Sequence, residues 1–303
     1  MNIKAGSSAW NERLTCNLSR IKKIDWNQFR EWLSTQFREA YVSDILRYAK
    51  RYCMILTNPS SIGLLHGLKE DQRRMVMSSL SNLSKFLGIY SYWKQLIQGN
   101  NLKWQRRNSL KAFIRILKAQ DSNIMEWLRE AYEIARENEK LFLKFCLLTG
   151  MRKQESVNSF NLIVKLAREG KLESYYNADL KALQHFMFEE IFIRRNKNVY
   201  ISFVHEDLIH KIANSKPISY NSLRLRLRRR NMKTRISELR DYFGTYLLKH
   251  GILREEIDLL QGRVPTSVFI RYYWSPSFKD LKSRVLNALE MMKNKITSQN
   301  ISI

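Results

Sequence analysis

Apolar residues recur at helical spacing along most of the chain. In one segment, four of them lie three or four positions apart between Asp71, a predicted N-cap, and Gly88, a predicted stop signal. These residues are Val76, Leu80, Leu83 and Leu87. Two upstream segments, which begin after Asp25 and after Ser43, show the same spacing. Together the three segments predict a compact helical domain in the N-terminal part of the chain.

A polar segment near residues 98–109, rich in basic residues and asparagine, follows this domain. Beyond it, the spacing of apolar residues predicts one helix over 124–138 and another over 141–148 that ends at Gly150. A further amphipathic helix is predicted over about 280–292, with an apolar face that must be buried somewhere. We therefore expect residues 98–109 to link two helical domains.

One segment, EEIFIRRNKNVYISFV at 189–204, shows the alternation of a β-hairpin instead. Ile191 and Ile193 alternate before a polar turn, and three apolar residues alternate after it. These three are Val199, Ile201 and Phe203. The pattern predicts a single antiparallel hairpin in the second domain.

Glycine and proline are scarce, with 10 Gly and 4 Pro among 303 residues. Because both residues interrupt helices, their scarcity favours long helices and little sheet. A chain of this length also accommodates two domains, each with its own core. The predicted fold is therefore mainly α, with two helical domains and one small antiparallel sheet. The predicted organisation is an N-terminal extension at 1–23, a helical domain at 24–109, a larger domain at 110–292 and a C-terminal tail at 293–303.

The charge of the chain is strongly positive, because 53 Lys and Arg against 28 Asp and Glu give a formal net charge of +25. Such an excess favours a polyanionic partner, since each phosphate that a cation neutralises releases counterions. An anionic membrane is the rival partner, but the sequence has no apolar run of about 18 residues and no signal-peptide core. We therefore predict an intracellular protein, cytoplasmic or nucleoid-associated, that binds nucleic acid.

Cysteine and histidine give no sign of a metal site. The three cysteines are widely spaced and odd in number, so they predict neither a disulfide framework nor a zinc knuckle. His205 and His210 flank Glu206, but side chains five positions apart do not share a helical face, and the spacing differs from a metal-binding helix motif. We expect a reaction that uses no metal and no other cofactor.

Two arginines and a tyrosine lie close together in the run of residues 236–274. They are Arg240, Arg263 and Tyr273, and a further motif, TGMR at 149–152, lies far upstream. Arginine suits phosphate because its planar fork meets two oxygens at once and stays charged. A phenol, with a reference pKa of about 10, is both a nucleophile and an acceptable leaving group. The combination predicts breakage and rejoining of a nucleic-acid backbone.

A second basic element, LRLRLRRRNMKTR at 223–235, has the pattern of an amphipathic helix. Leu223 and Leu227 share one face, while three arginines point away from it. These are Arg224, Arg228 and Arg235. Together with Arg194 and Arg195 of the predicted hairpin, they are candidates for contacts with the DNA backbone, which position a protein without reading sequence.

Three of these motifs resemble the conserved boxes of the tyrosine recombinase (phage integrase) family. TGMRKQE at 149–155 resembles the first box, which presents an arginine at the end of a helix. ISELRDYFGTYLLKHG at 236–251 resembles the second box, and LQGR at 260–263 resembles the Leu-Gly-His of the family. The resemblance covers roughly residues 110–290. Together with RYYW, the motifs look closest to the integrases of archaeal fuselloviruses and related plasmids.

The resemblance implies a role for each motif. It assigns three arginines and a supporting serine to the scissile phosphate, a turn lysine to the leaving 5′ oxygen, and a tyrosine as nucleophile. In that order, these residues are Arg152, Arg240, Arg263, Ser237, Lys197 and Tyr273. Glu155 becomes a supporting acid. The family further implies a 3′-phosphotyrosine intermediate, a tetramer on two double-stranded DNA attachment sites, a C-terminal helix docked on a neighbouring protomer, and two domains that close on DNA as a clamp.

The chain departs from the family pattern at three positions. Ser237 stands where His is usual, Asp241 follows the second arginine where His is common, and Arg263 replaces His or Trp. The nucleophile is also ambiguous, because Tyr272 precedes Tyr273 and neighbouring side chains on a helix diverge by about 100°. Two alternatives therefore stay open: a type IB topoisomerase-like enzyme that relaxes supercoils, and a catalytically inactive relative that binds DNA.

Overall fold

The protein divides into two compact units, residues 1–116 and 117–303. A computed structural model describes residues 24–104, 109–110, 113–114, 117, 123–194, 197–263 and 277–298. Helices dominate both units, and each unit buries an apolar core of its own. The mainly α fold with one small antiparallel sheet, predicted from the sequence, is confirmed.

The first unit consists of helices around one apolar core. Its elements are α1 (Trp26–Ser34), α2 (Glu39–Tyr52), α3 (Met54–Thr57), a 3-10 turn (Pro59–Leu65), α4 (Glu70–Phe86) and α5 (Tyr90–Gly99). On α4, the predicted apolar residues Val76, Leu80 and Leu83 are fully buried. Gly88 follows at a φ of 72°, a conformation that ends a helix readily when the residue is glycine.

The structure confirms one of the three predicted helix starts in this unit and corrects two. The carboxylate of Asp25 accepts from the backbone nitrogens of Asn27 at 2.9 Å and Gln28 at 3.0 Å, and so caps α1. Ser43 instead lies inside α2, and Asp71 is the second residue of α4. The first turn of a helix favours acidic residues as much as the cap does, because its backbone N–H groups attract negative charge.

From residue 123 onwards, where the description of the second unit becomes continuous, three helices come first. They are α6 (Ile124–Ile134), α7 (Glu137–Thr149) and α8 (Lys153–Arg168). The helix predicted over 124–138 is shorter because a new cap intervenes: the carboxylate of Glu139 accepts from the backbone nitrogen of Arg136 at 2.9 Å. The next helix ends at Gly150, as predicted, where a φ of 59° favours glycine.

A three-stranded antiparallel sheet follows, in the order β1–β2–β3. Its strands are β1 (Tyr176–Asn177), β2 (Ala182–Gln184) and β3 (Ile201–Phe203), and a 3-10 turn (Leu172–Ser174) precedes them. Leu183 of β2 lies opposite Ser202 of β3. The predicted hairpin at 189–204 is therefore wrong in its first half, since Glu189–Phe192 form helix α9 and not a strand.

The prediction for the first half of that hairpin failed because an alternation over three residues does not distinguish a strand from one helical turn. The alternation placed Ile191 and Ile193 on the inner face. The structure leaves both half-buried and buries Phe192 completely, with its ring stacked on Tyr175 at a centroid distance of 5.8 Å. The described part of the connection from β2 to β3 thus contains a 3-10 turn (His185–Phe188) and α9.

The remaining helices that the structure describes in the second unit are α10 (Glu206–Ala213), α11 (Tyr220–Arg229), α12 (Ile236–Lys249), α13 (Arg254–Leu260) and α14 (Phe278–Ser298). The basic segment predicted as one helix is split, because Asn231, at a φ of 56°, follows the end of α11. Arg235 lies just before α12 and pairs with Glu238. The prediction that Arg235 shares the outward face of the basic helix was therefore wrong. The rest is confirmed: α11 buries Leu223 and Leu227 and exposes Arg224 and Arg228.

The C-terminal helix is longer than predicted. It continues to Ser298, so residues 293–298, predicted as tail, extend the helix. Arg284 fastens α14 to the carboxylate of Glu256, with bonds of 2.5 and 3.0 Å. The apolar face of α14 is covered by the core of its own unit and not left for a neighbour. Its buried residues are Leu281, Val285, Leu286, Ala288, Leu289 and Met292.

Candidate functional site

Arg152 stands at the junction of α7 and α8. An added Cβ at Gly150 would lie 2.6 Å from Cγ of Phe243, so only glycine fits at this close approach. Two residues later, the backbone nitrogen of Arg152 donates to Oε2 of Glu155 at 3.0 Å, and its Nη1 donates to Oε1 at 2.9 Å. Because Glu155 is only 1% exposed, its carboxylate fixes both the start of α8 and the guanidinium of Arg152.

Arg240 on α12 is buried between two segments that are distant in sequence. Its Nη1 donates to the carbonyl oxygen of Gly150 at 2.7 Å, and its Nη2 donates to the carbonyl oxygen of Gln261 at 2.8 Å. The side-chain amide of Gln261 donates back to the carbonyl oxygen of Arg240 at 3.2 Å. These bonds hold α12 against the end of α7 and the end of α13.

The electrostatic environment of Arg240 favours an anionic ligand. Burial is the main cause that lowers the pKa of Arg240 to about 10; the positive charges of Arg152 and Arg263 act in the same direction, and Glu155 opposes them. At that pKa the guanidinium stays charged at neutral pH. Two of its five N–H groups bond carbonyl oxygens, and within the described part of the chain no carboxylate bonds to it.

The turn before β3, of which the structure describes residues 193–194 and 197–198, packs onto Arg152 through Asn198. The carbonyl oxygen of Asn198 accepts from Nη1 of Arg152 at 3.2 Å. A Cβ added to Gly262, which has a φ of 72°, would overlap that same oxygen and lie 2.5 Å from its carbonyl carbon. The turn therefore contacts both Arg152 and the backbone just before Arg263.

Arg263 completes the set of three arginines. Its side chain is 56% exposed, and its Nη1 bonds Oδ1 of Asp258 at 2.6 Å. Its backbone nitrogen also donates to the carbonyl oxygen of Asp258 at 2.7 Å. Because Arg240 bonds the carbonyl oxygens of Gly150 and Gln261, each two residues before another of these arginines, the structure brings into one region all three arginines that the sequence singled out.

Two further predicted residues lie at the edge of this cluster. Lys197 is exposed and is the immediate neighbour of Asn198, whose carbonyl contacts Arg152. Ser237 is exposed in the first turn of α12, three residues before Arg240, a spacing that places two residues on the same side of a helix. Both can therefore face a ligand held by the arginines.

Arg194 has surroundings that the sequence did not indicate. Its Nη2 donates to Oε1 of Glu155 at 2.6 Å, and its side chain is 19% exposed. The guanidinium thus lies on a buried carboxylate and not on the outer surface where we predicted contact with DNA. Arg195, also predicted to contact DNA, and both candidate nucleophiles, Tyr272 and Tyr273, lie outside the described residues.

Sequence reasoning named Glu155 as a supporting acid but missed the other residues that hold the arginines in place. Gln261 and Gly262 were part of the LQGR motif, but the carbonyl groups that they meet come from elsewhere in the fold. Asn198 carried only the general signal of a turn residue. A glycine directly before a site arginine was the best available sign that another backbone approaches closely there.

Within the described residues, no cluster of three or more His, Cys, Asp or Glu side chains is arranged to hold a metal ion. His205 precedes α10, and its Nε2 lies 3.2 Å from the carbonyl oxygen of Leu286 on α14. His210 faces Glu206 across one helical turn. Among the same residues, no helix combines the length and the apolar character that crossing a membrane requires.

The fold and the site define a strongly basic, mainly helical protein that collects three arginines from separate segments, an arrangement suited to a phosphate group. The sequence profile of the archaeal phage integrase family matches residues 117–279, more than half of the chain, and the chain belongs to this family. A comparison with curated proteins gave no match. Family membership supports a role as an integrase or recombinase that acts on DNA.

Proposed function

We propose that this chain is a site-specific tyrosine recombinase that cleaves and rejoins double-stranded DNA to integrate or excise a mobile element. The observation that supports this most directly is Arg240. Its buried guanidinium is held by two carbonyl oxygens and is flanked by two further arginines. Among the described residues no carboxylate bonds to this guanidinium; a buried cation of this kind is costly unless an anion compensates it, and a phosphodiester supplies that anion.

In the proposed reaction, the scissile phosphate lies against Arg152, Arg240 and Arg263. Their N–H groups stabilise the negative charge that grows on the non-bridging oxygens in the transition state. One such donor contributes about 2.7–4 kcal/mol in a comparable oxyanion site. Ser237 adds a hydroxyl donor at the same face of α12.

Tyr273 is the proposed nucleophile, with Tyr272 as the alternative. A bond forms between its phenolic oxygen and phosphorus, the phenolic proton passes to solvent water, and the bond from phosphorus to the 5′ oxygen breaks, which leaves a 3′-phosphotyrosine. Lys197 donates a proton to the departing 5′ oxygen. A 5′ hydroxyl from a partner strand then attacks the phosphotyrosine and releases the tyrosine. The covalent bond retains the energy of the phosphodiester, so rejoining needs no nucleotide cofactor, and in this proposal the arginines stabilise the charge that a metal ion would otherwise stabilise.

The proposed DNA contacts outside the site are positional. Arg224 and Arg228 are exposed on α11, where they can meet backbone phosphates. We further propose that the two units close on the duplex as a clamp and that four protomers assemble on two attachment sites. The charge of +25 supports tight binding that weakens steeply with salt.

Covalent trapping tests the chemistry. A bound DNA site is first recovered by selection from random duplexes, and the protein is then incubated with a nicked duplex of that site, from which the cleaved end diffuses away. The wild type is expected to form a denaturation-resistant protein–DNA adduct. Tyr273→Phe should abolish the adduct without weakening DNA binding, and Tyr272→Phe is the matched control that should retain it.

Each other outcome points to a different protein. An adduct that survives in Tyr273→Phe but disappears in Tyr272→Phe assigns the nucleophile to Tyr272. Binding without any adduct in the wild type contradicts the mechanism and favours an inactive DNA-binding relative. Adduct formation accompanied by fast relaxation of supercoiled plasmid, without recombination between two sites, favours a topoisomerase-like enzyme.

A further inference from the structure

Two arginines from different elements share the buried carboxylate of Glu155. Arg152 reaches Oε1 from the start of α8 at 2.9 Å, and Arg194 reaches the same oxygen from the segment after α9 at 2.6 Å. Glu155 is 1% exposed, and its Oε2 accepts from the backbone nitrogen of Arg152 at 3.0 Å. A carboxylate held in this way cannot move freely. Because both arginines bond the same oxygen, a displacement of one arginine changes the position available to the other.

Arg194 also belongs to the turn that carries Lys197. Its backbone nitrogen donates to Oδ1 of Asn198 at 2.5 Å, which closes the turn around the lysine. The side-chain amide of Asn198 donates to the hydroxyl of Tyr200 at 3.0 Å, and so joins the turn to the residue just before β3. The turn is thus closed on itself by Arg194 and anchored by the same residue to α8.

From these contacts we infer that Arg194 is a positioning residue, which sets the Lys197 turn against the phosphate-binding arginines by pairing with Glu155. This inference rests on the proposed function, in which Lys197 protonates the leaving 5′ oxygen. Arg194 itself touches no reacting atom. Its guanidinium keeps the lysine within reach of the oxygen that Arg152 and its neighbours present, because one carboxylate holds both arginines.

An arginine is suited to this task because its planar guanidinium bonds an oxygen in a fixed direction while its stem packs along the protein. Lysine in its place keeps the charge but offers a point contact on a flexible stem. We therefore expect Arg194→Lys to retain part of the positioning of Lys197, and Arg194→Gln to lose it. Comparison of the two variants shows whether the positive charge alone is sufficient or the planar guanidinium is required.

The test compares two leaving groups. The nicked duplex of the selected site is prepared with the normal 5′ oxygen and with a 5′-bridging sulfur at the scissile position. A thiolate leaves without a proton, because the thiol pKa of about 8.5 lies far below that of an alcohol. Loss of general-acid help costs about 10²–10⁴-fold with the oxygen leaving group. With sulfur, Lys197→Ala should cleave within about threefold of the wild type, since that proton is no longer needed.

Arg194→Gln is expected to behave as a weaker copy of Lys197→Ala. It should slow adduct formation at least about tenfold with oxygen and cleave almost normally with sulfur. The double variant Arg194→Gln, Lys197→Ala should be no slower than Lys197→Ala alone with oxygen, because both changes remove the same proton transfer. A loss that persists with sulfur, or a double variant slower by a further factor of ten, would overturn the inference.

The chain offers a matched control in Arg226. Glu139 is 3% exposed, accepts from the backbone nitrogen of Arg136 at the start of α7, and pairs with Arg226 at 2.9 Å. Arg226→Gln therefore removes one cation and one bond to a buried, helix-capping glutamate, as Arg194→Gln does. It should cleave both leaving groups at the wild-type rate.

The controls separate the possible failures. If Arg226→Gln slows cleavage as much as Arg194→Gln does, the effect is a general loss of stability, and the inference fails. If the wild type forms no adduct with either leaving group, the proposed function fails first. If Lys197→Ala slows cleavage of the oxygen substrate and Arg194→Gln does not, the proposed function is supported and the positioning role of Arg194 is refuted. Thermal unfolding of each variant shows whether it is folded. If Arg194→Gln does not fold, Arg194→Lys replaces it in the comparison of the two leaving groups.

Discussion

Gly262 is the position where a single added methyl group tests the geometry of the site most directly. Its φ of 72° is left-handed, and a Cβ there would overlap the carbonyl oxygen of Asn198. That oxygen also accepts from Nη1 of Arg152 at 3.2 Å. Gly262→Ala should therefore push the turn with Lys197 away from the arginines.

The expected cost has two parts. A left-handed conformation costs a residue with a Cβ about 1–2 kcal/mol. Overpacking of a tight site adds about 1–3 kcal/mol, and backbone atoms yield less readily than the end of a side chain. We therefore expect Gly262→Ala to lower the free energy of unfolding by about 2–5 kcal/mol. A displacement of about 1 Å at a catalytic group can reduce the rate about 10²-fold, so adduct formation should fall by a similar factor.

Gly170 provides the control, because it has a φ of 65° and no atom within 4 Å of an added Cβ. Gly170→Ala pays the conformational cost alone. Urea unfolding gives the free energies of both variants, and the nicked-duplex assay gives their rates of adduct formation. Equal destabilisation in the two variants, with wild-type cleavage by Gly262→Ala, would refute the close contact between Gly262 and the turn.

Three further perturbations follow from single residues. Arg240→Lys should reduce adduct formation at least about 10²-fold with DNA affinity nearly unchanged, because an ammonium cannot meet two carbonyl oxygens and a phosphate together. Burial lowers the pKa of His185 to about 3, so its contribution to stability, up to about 5 kcal/mol, should be lost as the pH falls from 6.5 towards 3, as measured by urea unfolding. Burial is the main cause that lowers the pKa of Lys144, and nearby Lys211 and Lys293 act in the same direction, so Lys144→Met should raise the free energy of unfolding at pH 7.

The pH dependence at His185 and at Lys144 has the same sign as that of a paired carboxylate, because in each case the folded pKa lies below the unfolded pKa. For His185 and Lys144, the unfolded state binds more protons than the folded state between the folded and unfolded pKa values, so stability rises with pH in that window. For Lys144, the window closes near its unfolded pKa of about 10.5. A wild type whose stability is flat between pH 4 and 6.5, or a Lys144→Met variant less stable than the wild type, contradicts the assigned cause. Cleavage at the wild-type rate by Arg240→Lys contradicts the proposed requirement for the planar guanidinium of Arg240.

Local patterns predicted the helices well and the sheet poorly. The helix that ends at Gly150 and the burial of Leu223 and Leu227 follow from 3.6-residue spacing, which repeats over several turns. The alternation at Ile191 and Ile193 covered only three residues, and the packing of Phe192 against Tyr175 decided in favour of a helix. Where an apolar pattern covers only a few residues, tertiary contacts decide between strand and helix.

The sequence by itself determined that this protein is basic and mainly helical, and it predicted that Arg152, Arg240 and Arg263 form one site. Net charge, spacing and motif are local properties that can be counted along a chain. Only the tertiary structure decided how those arginines are held: Gly262 meets the carbonyl of Asn198, and a buried carboxylate takes Arg194 away from the surface. Such contacts join residues 39 to 90 positions apart, and their partners are chosen by the packing of the whole unit.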